Sequence, residues 1–488
     1  MRDILLHYEA VNPTTWVYLS SLLMIALYFK FSRLWSVRNL DLIGLILLAP
    51  GLLFVIYGRE KGFEQYEQAG YIWLYIVGGL FVIRMLVDPM MVRRPLLEPN
   101  LTVGGLTFLG ISLLVFLMAN VVASLNMNIN KQFPIDADVA AASATNDVSP
   151  PKSDATKADN SQKTASDKPD HQPIEDGLLR VGPGYPPIMK LAQLLPTRLL
   201  FRDAPNVTPS PDDHHREAHE RMDFYTASTI AILSHLAVVL GMIFIGYWHF
   251  DNIRTGIAAA VLYLLLPYTA LVTDPPRGIS SDQMYHVLPA ALLVWAVAMY
   301  RRPLVAGIML GLAIGTFYYP IFLLPLWVAF YWQRGGMRFV AGILATIAVL
   351  VVVLYFNPVG NSFLSDLRQM FGWIFPRDKN LEGFWGLAFN NPVYRLPVLV
   401  AFVAMCITLA IWPAQKNLGT LMSCSAAVML GTQFWHAWGG GQLMGWYLPL
   451  MLLTVFRPNL EDRVALSVLG QWSFARRKPR LARIDQAA

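Results

Sequence analysis

The chain has 488 residues, 55% apolar and only 14% charged, with a net charge of +6 and a mean hydropathy of +0.44. A soluble domain carries about a quarter of its residues charged, so a soluble fold of this length could not cover its surface with so few. Lipid needs no such covering, but a chain in lipid must satisfy its own backbone groups, as helices or as a closed barrel.

The apolar runs are about 20 residues long and unbroken, rather than ten-residue alternations, which selects helices. An all-α polytopic membrane protein is predicted, with membrane lipids around it and no nucleic-acid partner. Residues Met1 to Trp16 contain acids and Pro13 and lack a basic region before a cleavage motif, so a removed signal peptide is not expected. Spans are predicted at 14–31, 41–58, 70–87 and 104–125, then at 225–247, 254–273 and 285–300. The stretch 304–332 is interrupted by Phe317-Tyr318-Tyr319-Pro320 and reads as a short helical hairpin that enters and returns. Spans at 338–356, 396–412, 419–436 and 440–456 follow, for about 12 to 13 membrane helices in all.

Basic residues assign the sides. Lys30, Arg33 and Arg38, then Arg93 and Arg94, Arg254, Arg301 and Arg302, Arg334 and Arg338, and Lys416 share one side only if 304–332 returns. The tail 457–488 joins them, with seven Arg or Lys against three acids. This places the N-terminus and residues 131–225 outside and the C-terminus in the cytoplasm. Four units result: a four-helix transmembrane unit at 1–130, an extracytoplasmic linker at 131–180, a second transmembrane unit at 181–456, and the basic tail. The linker is rich in Ala, Ser, Thr, Pro, Asp and Lys and nearly free of aromatics, a composition that stays disordered. Cys406 and Cys424, the only cysteines, lie in apolar runs and read as packing residues.

Polar groups on the outer side are the candidates for chemistry. Gly184-Tyr185-Pro186-Pro187 precedes an apolar stretch too short to span, which reads as an interfacial helix with Pro in its first turn. In the loop 273–286, Asp282 and His286 are four apart and share a helix face if a helix begins there. That pair is either an acid beside a general base or part of a helix cap. The loop 357–395 gathers Arg368, Arg377, Lys379, Glu382 and Arg395 among Trp373, Phe384 and Trp385. Arginines outside run against the topological bias and suit a phosphate, unless Asp366 and Asp378 pair with them. In 212–220, His215 and His219 are one turn apart, but Arg216 stands where a zinc-protease motif needs Glu, so a polar helix extension is expected. Ionisable candidates in mid-membrane are few: Arg84 and His235 lie within spans, with Arg84 close enough to the inner interface to snorkel.

Several of these landmarks, taken in order, resemble the GT-C superfamily of glycosyltransferases, in its bacterial polyprenyl-phosphate-dependent mannosyltransferase branch. Gly184-Tyr185-Pro186-Pro187 is similar to the family's YPP segment, and Gln283 opens a span as the Gln of a GQxN-like element does. Arg301-Arg302-Pro303, then Ala306-Gly307, Gly311, Gly315 and Tyr319-Pro320, resemble its basic turn, AGxxxG helix and Tyr-Pro break. Leu381 to Gly386 resembles an outer-loop motif, and Trp435-His436 before Trp446-Tyr447-Leu448-Pro449 resembles the late SW-x-HH element. The Lys that often precedes the Tyr-Pro break and the second late His are absent.

The resemblance, over about 185–456, implies a GT-C-like fold and transfer of a sugar from a lipid-linked donor to an extracytoplasmic acceptor. It implies Asp136 or Asp138 as general base and Arg277, Arg377 or Arg395 on the departing polyprenyl phosphate. Asp282, Gln283, His286, Tyr319, Glu382 and His436 would complete the substrate site. No cofactor is specified, a divalent cation being left open. The first 130 residues are unexplained by the family and are available to a membrane-protein partner. A transporter subunit and a non-catalytic assembly factor are the alternatives, and the scarcity of ionisable residues inside spans argues against ion-coupled transport.

Overall fold

The structure, a computed structural model, describes residues 12–91, 98–132, 181–194, 196–201, 213–270, 282–358, 363–369, 381, 383–387, 391–413, 416–436 and 439–458. Among the described residues every regular element is a helix. The first unit holds α1 (Pro13–Tyr28), α2 (Val37–Lys61), α3 (Glu64–Val87) and α4 (Val103–Gln132). After the linker come α5 (Tyr185–Leu194), α6 (Pro196–Leu200), α7 (Asp213–Trp248), α8 (Ile253–Leu265), α9 (Pro267–Ala270) and α10 (Asp282–Ala298). The remainder are α11 (Pro303–Thr316), α12 (Leu324–Tyr331), α13 (Gly336–Phe356), α14 (Phe363–Gln369), α15 (Arg395–Ile411), α16 (Leu418–Thr432) and α17 (Leu448–Phe456).

Local chemistry explains many of the boundaries. Pro13 opens α1 behind Asn12, whose side chain accepts from the Thr14 amide at 2.9 Å. Ser36 caps α2 in the same way, and Gly62, at φ 71°, closes it. The expected span 254–273 is broken at Leu266, which turns extended ahead of Pro267. The polar run before the 225–247 span is helical from Asp213, so it does extend the helix that follows.

Among the described residues five helical stretches are long and apolar enough to cross a membrane: Val37–Lys61, Glu64–Met90, Val103–Ala123, Arg221–Trp248 and Gly336–Phe356. The other apolar helices are shorter, 10 to 17 residues, among them Arg395–Ile411 and Leu418–Thr432. The chain thus has the helices of an integral membrane protein, several of them too short to cross 30 Å of hydrocarbon unaided. The expected span 440–456 is helical only from Leu448, because Gly439 and Gly441 hold left-handed backbone, at φ 64° and 93°.

The stretch 304–332 does return on itself. α11 ends at Thr316, a 3₁₀ turn covers Tyr319–Leu323, and α12 leads back until the Tyr331 hydroxyl donates to the Tyr300 carbonyl at 2.7 Å. The glycines of α11 serve packing. A Cβ on Gly307 would sit 2.2 Å from the Phe339 carbonyl oxygen, and one on Gly315 would sit 2.4 Å from Leu350. α11 and α13 therefore run side by side in near backbone contact, the geometry small residues at four-residue spacing permit.

The first unit is fused to the second. Tyr28 donates to the Ala258 carbonyl at 2.9 Å, Tyr268 to that of Leu45 at 3.3 Å, and Arg254 to those of Pro99 and Leu101. One apolar core runs from Trp16 to Phe456. Cys406 and Cys424 are buried free thiols within it.

The basic connections meet at one end of the bundle. Lys30 reaches Asn100, His249 reaches the Ala298 carbonyl, and Arg334 donates to the Lys416 carbonyl. Arg84 does not reach for solvent alone. It donates twice to Asp41, at 2.8 and 2.9 Å, and once to Asp88 at 2.9 Å. Asp88, fully buried, also accepts from Arg457 at 2.7 Å, so two carboxylates and two guanidiniums neutralise one another.

Candidate functional site

The opposite end of the bundle brings together residues from both transmembrane units. His286 lies one turn into α10, buried, with Nε2 accepting from the Gly445 amide at 2.9 Å. Its neighbour is held too: the Trp446 indole donates to the Tyr285 carbonyl at 2.8 Å. The start of α10 is thereby clamped to the turn before α17.

Tyr319, in the hairpin turn, faces this clamp. Its ring centroid lies 4.4 Å from His436, 5.0 Å from Trp446 and 5.5 Å from Trp435. Phe322 and Phe402 pack on the far side of Trp435, at 5.4 and 5.6 Å. Arg395, first residue of α15 and buried, donates from Nε to the Trp435 carbonyl at 2.6 Å. An arginine at a helix start is poorly placed for the helix dipole and here is turned to the α16 terminus instead.

The segment ahead of α5 closes the end of α11. The Gly182 and Gly184 amides donate to the Thr316 and Gly315 carbonyls at 2.9 and 2.8 Å, satisfying acceptors that a helix end leaves open. A Cβ on Gly184 would come within 2.8 Å of the Thr316 hydroxyl, so this approach needs glycine. α5 starts with Tyr185-Pro186-Pro187 and exposes Leu191 and Leu194, in keeping with the interfacial helix expected there.

The third wall comes from the first unit. Tyr71 of α3 accepts from Arg59 at 3.1 Å and makes a short hydrogen bond with Gln442, while Arg59 pairs with Glu67 at 3.2 Å. Tyr75, one turn on, donates to the Gln433 carbonyl at 3.4 Å. Phe384 sits between the two tyrosines, 6.5 and 4.8 Å from their rings, and Trp385 donates to the Phe434 carbonyl at 3.0 Å. The segment 383–386 is thus docked on both units.

Of the residues singled out in the sequence, His286, Tyr319, Arg395 and His436 converge here from α10, the hairpin turn, α15 and the α16 terminus. Asp282 and Gln283 open α10, and their side chains lie outside the described residues. Asp136, Asp138, Arg277, Arg377 and Glu382 lie outside the described residues altogether. Among the described residues no group of three or more His, Cys, Asp or Glu could hold a metal ion.

Arg59, Tyr71, Tyr75, Gln433 and Gln442 were not anticipated. The first three belong to helices with no motif, and only the fold brings them to the site. A signal for Gln442 existed: Gly440, Gly441 and Gly445 within the expected span 440–456 mark a loop rather than a helix. The assembled end is a buried cluster of aromatic rings packed against one another, with the Arg395 guanidinium bonded beside them. No family model, no curated protein and no solved structure matches the chain.

Proposed function

We propose that the chain is a membrane glycosyltransferase that moves a sugar from a polyprenyl-phosphate donor to an acceptor outside the cytoplasm. The observation that supports it is the meeting of His286, Tyr319, Arg395 and His436, from four separate elements, in one buried cluster lined by Trp435 and Trp446. Tyr319 and His436 stand in motifs that resemble those of GT-C enzymes, His286 and Arg395 are polar residues of the predicted outer loops, and chain order alone does not require the four to be neighbours. In this reading the basic end lies in the cytoplasm of a bacterium and the cluster faces outward.

The chemistry follows from that placement. The acceptor hydroxyl loses its proton to Asp136 or Asp138 as its oxygen bonds to the anomeric carbon. The bond from that carbon to the phosphate oxygen breaks, and the departing phosphate gathers negative charge. Arg395, with Arg277 or Arg377, offsets that charge. The hairpin 303–331 lines the path of the lipid carrier. The charge network of Asp41, Arg84, Asp88 and Arg457 is internally neutral, which fits a structural role better than ion transport.

The test is direct. Purified protein in lipid nanodiscs, given a panel of polyprenyl-phosphate hexoses and a hydroxyl acceptor, is expected to release polyprenyl phosphate, and Arg395→Ala to slow that release. No release across the panel, with no donor bound, would favour a non-catalytic assembly factor.

A further inference from the structure

The loop Gly439–Gly445 orients two side chains in the same manner, one near each end. The Gly445 amide donates to His286 Nε2 at 2.9 Å. That nitrogen therefore presents its lone pair, and the proton of the neutral ring sits on Nδ1. The Gly441 amide donates to Gln433 Oε1 at 3.1 Å. Turning the amide over would set two donors face to face, so Nε2 is directed away from the loop.

Both remaining nitrogens are donors, and both are buried. His286 is 6% exposed and Gln433 1%, yet neither His286 Nδ1 nor Gln433 Nε2 has a hydrogen-bond partner among the described residues. Trp435 Nε1, two residues beyond Gln433, is a third buried donor of the same kind. Native folds keep few such groups, because each loses its water without compensation. All three are donors, so a ligand that completes them brings acceptors. Gly441 and Gly445 are four residues apart, so their Cα atoms are separated by at most about 14 Å. The phosphate and hydroxyl oxygens of a hexose phosphate are acceptors of the kind these donors lack.

We propose that His286 Nδ1–H and Gln433 Nε2–H form a preset donor pair that binds the oxygens of a sugar phosphate head group. The loop amides pin the acceptor atom of each side chain and so aim its donor before the ligand arrives. This rests on the transferase reading for the identity of the ligand, though not for the donors themselves.

Three substitutions separate ligand binding from loop support. His286→Gln and Gln433→Glu each retain an acceptor for the loop amide and lose the unpaired donor. His286→Asn does the reverse, keeping a nitrogen near Nδ1 and losing the acceptor. Binding is measured in nanodiscs with a labelled polyprenyl-phosphate hexose. Polyprenyl phosphate, free hexose phosphate, free hexose and inorganic phosphate serve as competitors.

H286Q is expected to melt like wild type and Q433E lower, because it buries a carboxyl group with no cation beside it, and both to bind the probe about tenfold more weakly, while H286N also melts lower. Trp435→Phe, which keeps the ring and removes the N–H, is a third reporter should either variant fold poorly. If the same variants weaken inorganic phosphate and polyprenyl phosphate, the donors hold the phosphate. If they weaken only the sugar-bearing competitors, the donors hold hydroxyls. Folded H286Q, Q433E and W435F binding the probe like wild type would overturn the proposal, as would wild-type protein that binds none of these compounds. Binding that depends on both donors without release of polyprenyl phosphate would instead sink the transferase reading and leave the donor pair in place.

Discussion

Arg457 and Asp88 are 369 residues apart in the chain and joined at 2.7 Å in the fold. The contact ties the end of α17 to the end of α3, and Arg84 extends it to Asp41 of α2. Asp88 has no exposed surface, so its charge is tolerable only while both guanidiniums face it. Replacing Asp88 with Ala strands Arg457 and removes one of the three hydrogen bonds of Arg84. A loss of about 3–5 kcal/mol is expected, seen as a lower melting midpoint in detergent. An unchanged midpoint would mean that water replaces the network.

Gly419 of α16 gives a more local check. A Cβ there would lie 2.0 Å from an Arg457 guanidinium nitrogen, so Gly419→Ala must push the guanidinium off Asp88. The cost is expected at about 1–3 kcal/mol in the wild-type background and much less when Arg457 is already Met. Additive midpoint shifts in that double-mutant cycle would contradict the contact.

The α11–α13 contact makes a third. Gly307→Ala places a methyl group against the Phe339 carbonyl, where 2.2 Å leaves no room. The helices must separate, at a cost of about 1–3 kcal/mol. The hairpin turn holding Tyr319 would shift with them, so probe binding is expected to weaken along with the melting midpoint.

Tyr71 tests whether the first unit serves the site. Its hydroxyl joins Arg59 to Gln442, in the loop that also pins His286 and Gln433. Tyr71→Phe keeps the ring on Phe384 and removes that link. Roughly tenfold weaker donor binding is expected with little change in melting. Identical binding constants for Y71F and wild type would show the first unit to be a bystander.

Sidedness is open to labelling, since the two native cysteines are buried. Phe63, 52% exposed between α2 and α3, and Trp35, 87% exposed between α1 and α2, lie at opposite ends of α2. Phe63→Cys should react with an impermeant maleimide on intact cells, and Trp35→Cys only after permeabilisation. The reverse pattern would invert the topology and turn the cluster toward the cytoplasm.

The sequence by itself determined the class of fold, because hydropathy over some twenty residues is a local property that lipid reads directly. It also located the returning hairpin, since Pro320 and the aromatics around it interrupt an apolar run and the flanking arginines need a common side. It marked His286, Tyr319, Arg395 and His436 by residue type and order. It misjudged 440–447, where average hydropathy concealed glycines whose left-handed backbone forbids a helix. Only the tertiary structure decided that Tyr71 and Tyr75 meet the loop before α17, and that Arg84 is neutralised by Asp41 and Asp88 instead of reaching for the interface alone. Apart from the Arg84–Asp88 pair, four residues apart, such contacts join residues tens to hundreds of positions apart. They follow from which helices lie side by side, a choice set by packing and charge pairing across the whole bundle that no local stretch encodes.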